Sequence, residues 1–67
     1  MRIDRVILAA ELARRDWRKQ ELAQRAGISI ASVTSIVGGK RMAPATVQKV
    51  ADALNMPLTE ILERERV

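Results

Sequence analysis

The sequence contains no cysteine, histidine, tyrosine or phenylalanine, and a single tryptophan. Without cysteine, neither a disulfide nor a thiolate metal site holds the chain together. Without histidine, the side chain that titrates nearest neutrality and the commonest zinc ligand are both missing. Catalysis loses its usual participants, and 67 residues are too few to enclose a deep cleft. Asp16, Glu21 and Glu60 are read as capping or surface carboxylates, so no enzyme, cofactor or metal is expected. Long apolar runs are absent as well. The stretch MRIDRVILAAELARR interleaves charges with apolar residues, unlike a signal peptide, and no run approaches membrane-span length. The expectation is a soluble cytoplasmic protein with no membrane partner.

What is present is positive charge in one place. Between Arg14 and Arg41 there are seven basic residues (Arg14, Arg15, Arg18, Lys19, Arg25, Lys40 and Arg41) against Asp16 and Glu21, a local excess of +5 in a chain of net charge +4. Residues 1–13 sum to zero and residues 42–67 to −1. A central basic excess is the electrostatic footprint of a polyanion site, with a solvated charged face as the alternative.

The stretch GISIASVTSIVGGK, residues 27–40, is rich in β-branched residues and so suggests a strand. Strand alternation, however, mixes apolar and polar side chains on both faces. Helical winding gathers Ile30, Val33, Ile36 and Val37 on one side and centres Ala31 and Ser35 on the other, flanked by Ser32 and Thr34. Ser29 stands where an N-cap is needed, and Gly38-Gly39 supplies a left-handed stop. Periodicity therefore overrules propensity and predicts a helix over 30–37.

The same reasoning predicts helices over about 3–15, 19–26, 44–54 and 58–64. The first carries Ile3, Val6, Ile7, Ala10 and Ala13 at helical spacing, broadened by Leu8 and Leu12. The second places Leu22, Ala23 and Ala26 inward and closes on Gly27. Trp17 can staple its start; Glu21 fits a capping box with Arg18 in the cap position, and Asp16 is the alternative cap. The fourth starts at Pro44, buries Val47, Val50, Ala51 and Leu54, and stops at Asn55. Pro57 opens the fifth, with Leu58, Ile61 and Leu62 available to the core or to a dimer patch. With short connections and no strand pair, residues 1–67 read as one all-α domain of five helices.

Two short helices joined by a tight glycine turn, with basic residues around them, have the layout of a helix-turn-helix. The run QELAQRAGISIASVTSIVGGKR resembles the helix-turn-helix of the phage-repressor and Cro-like, or XRE-type, family, and TVQKVADALNMPLTEIL resembles its fourth and fifth helices. The resemblance runs from about Val6 to Leu62 and implies a lambda-repressor-like five-helix fold with the helix-turn-helix at helices 2 and 3. Lys19 departs from the Gln that often begins helix 2.

The resemblance implies that residues 30–37 form the recognition helix, with Ile30, Ala31, Ser32, Thr34 and Ser35 nearest the bases of double-stranded DNA. Ile30 suits either a thymine methyl or a boundary position covering a neighbour. Phosphate contacts are expected from Arg14, Arg18, Lys19, Lys40 and Arg41, with backbone amides at the starts of helices 2 and 3. Trp17 reads as a core staple, since no second aromatic makes a base-stacking platform. The function implied is a sequence-specific transcriptional regulator, a repressor binding a palindromic operator as a homodimer. An antitoxin-type regulator, or a protein-interaction module that kept the fold without DNA binding, are the alternatives, each with a protein partner.

Overall fold

A computed structural model describes residues 1–63. The Asp4 carboxylate opens the first helix, α1 (Arg5–Arg15), by accepting from the amides of Val6 at 2.9 Å and Ile7 at 3.2 Å. The remaining helices are α2 (Lys19–Ala26), α3 (Ile30–Val37), α4 (Pro44–Leu54) and a single turn, α5 (Leu58–Ile61). Ser29 caps α3 by accepting from the Ser32 amide at 3.1 Å, and Pro44 takes the first position of α4, where no amide is needed.

Four helices end in the same way. Asp16, Gly27, Gly39 and Asn55 are the residues of positive φ among those described, at 55°, 68°, 83° and 54°. After each, the next amide donates back across the turn: Trp17 to Leu12 at 2.9 Å, Ile28 to Ala23, Lys40 to Ser35 and Met56 to Ala51, each at 3.0 Å. These are Schellman closures, which satisfy carbonyls the helix would leave orphaned. Three of the four also join an apolar pair across the stop, Leu12 with Trp17, Ala23 with Ile28 and Ala51 with Met56. Of the two adjacent glycines only Gly39 is left-handed; Gly38 is right-handed at φ −75°.

Helix α2 packs on both α3 and α4, α5 packs on α4, and α1 packs on α3. Ala23 and Ala26 are small enough for α2 to lie close to its neighbours. Leu8, Leu22, Val33, Ile36, Val47, Val50, Leu54 and Ile61 fill the core, which among the described residues holds no buried polar or charged side chain. Leu12, Trp17, Ile28, Val37 and Leu58 cover its edges.

Expectations from periodicity are corrected in α1 and in α5. The first helix begins at Arg5, not at residue 3: Ile3 is extended, buried, and bridged antiparallel to Leu62, with the Asp4 amide donating to Ile61 and the Glu63 amide to Arg2, each at 2.9 Å. Of the stripe expected on α1, Ile7, Leu8 and Leu12 do face inward, but Val6, Ala10 and Ala13 do not. Val6 is 79% exposed, and Ala10 and Ala13 are exposed, while Ile7, Leu8, Glu11, Leu12 and Arg15 face inward. Leu62 leaves the helical conformation, so α5 stops at Ile61 rather than reaching residue 64, and Arg64 lies outside the described residues.

Candidate nucleic-acid interface

Helix α3 is held from beneath and left open above. Val33 and Ile36 are buried, and Ile28 and Val37 pack at the core edge. The expected helical winding is corrected at two positions: Ile30, gathered with the core side, is exposed, and Ser35, centred on the outer side, is half-buried. Of the five residues expected to face bases, Ile30, Ala31 and Thr34 are exposed, and Ser32 and Ser35 are half-buried. The local hydroxyls are partly committed. Thr34 Oγ1 donates to the Ile30 carbonyl at 3.0 Å, and the Ser29 hydroxyl donates to Ser32 Oγ at 3.0 Å.

The expected phosphate-binding cations fall into two groups at the ends of the helix-turn-helix. Arg18 and Lys19 are exposed at the start of α2, and Lys40 and Arg41 are exposed in the connection after α3. None of these four is in an ion pair among the described residues. Arg14 differs: its side chain is 73% exposed, but its Nη1 lies 3.0 Å from Glu11 Oε2. Glu11 also accepts from Arg15, and that hydrogen bond, aided by the charges of Arg14 and Arg15 against the opposing effect of desolvation, holds its carboxyl below the ordinary value.

The expected capping of α2 is corrected. Arg18 is the cap residue, and no side chain hydrogen-bonds the helix start. Asp16 instead ends α1 in the left-handed conformation, and Glu21 pairs with Arg25 at 3.1 Å instead of reaching back. At the start of α3 the Ser32 amide is already taken by Ser29, so that amide is not free for a phosphate. Trp17 packs on the core edge, with the Arg25 guanidinium 4.6 Å and the Arg15 guanidinium 5.6 Å from its ring centroid. Its ring is therefore engaged within the fold.

Two features of the interface escape a summation of charge by segment. Arg2 and Arg5 belong to a stretch of zero net charge, yet the fold sets them in one surface cleft with Gly38 and Gly39, lined also by Asp4, Val6 and Glu63. Arg5 lies so close that a Cβ on Gly39 would sit 3.3 Å from its Cδ and Nε. The α3–α4 connection is fastened there by the Met42 amide, which donates to the Met1 carbonyl at 2.8 Å. The other feature was readable: no Asp or Glu occurs between Glu21 and Asp52. All of α3 and its flanking turns therefore lie in a stretch whose charges are exclusively positive.

The chain matches the profile of the Cro/C1-type helix-turn-helix DNA-binding domain over residues 8–66. No curated protein matches it. Among solved structures, a point mutant of hydroxyethylphosphonate dioxygenase is similar with a TM-score of 0.84 and 24% identity. That likeness covers 100% of this chain but 15% of the enzyme's, and it concerns the fold alone. With helices α2 and α3 joined through a left-handed Gly27, an apolar underside to α3 and an open upper face, the chain belongs to the Cro/C1-type helix-turn-helix DNA-binding domain family.

Proposed function

We propose that the protein is a sequence-specific transcriptional regulator that lays α3 in the major groove of double-stranded DNA. Ile30, Ala31, Ser32, Thr34 and Ser35 stand nearest the bases, and Arg18, Lys19, Lys40 and Arg41 hold phosphates on either side. Arg14 contributes less, because Glu11 shares its charge. The observation that carries this reading is the open face of α3 within a stretch free of acidic residues, since an exposed carboxylate there would repel the duplex.

One copy reads little sequence. Helix α3 has 8 residues, and at about 1.5 Å per residue it covers roughly 12 Å, or about four base pairs. A homodimer on two half-sites about one helical turn apart doubles the address and makes the operator palindromic. Occupancy of such a site excludes polymerase, which makes the protein a repressor.

The test is selection from random-sequence duplex at two salt concentrations, with sequencing of what is retained. An enriched palindrome whose binding weakens steeply with salt is the expected result. Failure to retain any duplex at low salt overturns the reading and moves the function to a protein partner.

A further inference from the structure

We infer that α3 reads its operator chiefly through methyl groups, with Ile30, Ala31 and the methyl of Thr34 packing on the C5-methyl groups of thymines. This rests on the proposed placement of α3 in the major groove.

The inference begins with what α3 does not offer. Its sequence, IASVTSIV, contains no Arg, Lys, Asn, Gln, Asp or Glu, so no side chain on it can make a bidentate contact with a base edge. Its hydroxyls add little discrimination. Thr34 Oγ1 is turned back onto the Ile30 carbonyl at 3.0 Å, which leaves its methyl as the group offered to a neighbour. Ser32 accepts from Ser29, and Ser32 and Ser35 are half-buried; each can give a single hydrogen bond that several bases satisfy.

What α3 does offer is apolar. Ile30 is 47% exposed, one of three large apolar side chains so placed among the described residues, and it sits on the open face beside Ala31 and Thr34. The apolar group of the major groove is the thymine methyl. Cytosine places an amino donor at its exposed edge, and an aliphatic side chain covering that donor would leave it without a partner. The chemistry of this face therefore favours thymine by attraction and disfavours cytosine by desolvation.

Replacing thymidine by deoxyuridine tests this directly, because it removes the methyl and leaves charge and base pairing unchanged. The full chain is first used to select a duplex from a random pool, and each half-site thymidine is then substituted at constant salt. Affinity is expected to fall about fourfold for each contacted methyl and about sixteenfold for two. Ile30→Ala is expected to remove most of the preference for thymidine over deoxyuridine, and Thr34→Ser part of it, with thermal unfolding checking that both variants remain folded. Equal affinity for the two duplexes, or selected half-sites without thymine, overturns methyl readout while DNA binding stands. Retention of no duplex at all removes the groove placement itself, and methyl readout with it.

Discussion

The Arg15 guanidinium, in the last turn of α1, donates through Nη2 to the carbonyl of Leu54, the last residue of α4, at 2.7 Å. Its Nη1 donates to the Glu11 carbonyl at 3.1 Å and to the Glu11 carboxylate. One side chain thus satisfies a terminal carbonyl of α4, places positive charge at that helix's negative end and ties two helices together. This cation belongs to the fold, whatever its share in the central positive charge.

Arg15→Ala is therefore expected to lower stability by about 1–3 kcal/mol, as for loss of a charged hydrogen bond to a part-buried group. Urea unfolding measures it. Arg15→Lys should recover only part of the loss, since an ammonium lacks the planar fork that serves Glu11 and Leu54 together. A wild-type midpoint for Arg15→Ala would show the tether to be energetically idle.

Glu11 gives that tether a pH dependence. Its carboxyl is held below the ordinary value of 4.5 in the folded protein, so its contribution is fully present above that value. The contribution is lost as pH falls through the depressed folded value, where the carboxylate is protonated and its attraction to Arg15 and Arg14 ends. The gap in Tm between wild type and Glu11→Gln is expected to be widest at neutral pH and to narrow in acid. A gap that stays constant into strong acid would refute the coupling.

Gly27 is the junction of α2 and α3, at φ +68°, and a Cβ built there meets nothing within 4 Å. The cost of a side chain is thus conformational instead of steric, about 1–2 kcal/mol for an L-residue held in the left-handed region. Gly27→Val should lower the stability measured by urea unfolding by at least that much, because β-branching adds to the strain, and Gly27→Asn by less. Equal effects of Val and Asn would mean that something other than backbone conformation governs the turn.

The cations are expected to separate by salt dependence. Lys40→Ala and Arg41→Ala should each reduce the slope of log affinity against log salt by about 0.9, the amount that follows when one phosphate fewer is neutralised. Arg14→Ala should reduce it less, because Glu11 lies 3.0 Å from its Nη1. Binding curves at several salt concentrations check this, and an unchanged slope for Lys40→Ala or Arg41→Ala would remove that residue from the interface.

Local chemistry made α2, α3 and α4 legible. Gly27 and Asn55 stop α2 and α4 through backbone conformation, Ser29 starts α3 through a side-chain oxygen, and Pro44 starts α4 through a fixed φ. Helix α1 was legible only in part. Its inner face includes Glu11 and Arg15, so an apolar stripe correctly picks out Ile7, Leu8 and Leu12 but also takes in Val6, Ala10 and Ala13, which the fold exposes. Glu11 and Arg15 can face inward because each is the other's partner and the Leu54 carbonyl accepts from Arg15 Nη2. The start of α2 misled for a similar reason: Glu21 had a capping alternative by spacing, but Arg25 one turn later is its partner.

The amino-acid sequence by itself determined the all-helical class, the helix-turn-helix at α2 and α3, the apolar underside of α3 and the central positive charge, because caps, periodicity and charge density act over a few residues. Tertiary structure alone decided that Ile3 leaves the helix to pair with Leu62, that Arg5 lies against Gly39, and that Arg15 reaches Leu54. Each of these joins distant segments of the chain. The partner is set by how helices pack, and no local pattern of spacing or propensity encodes it.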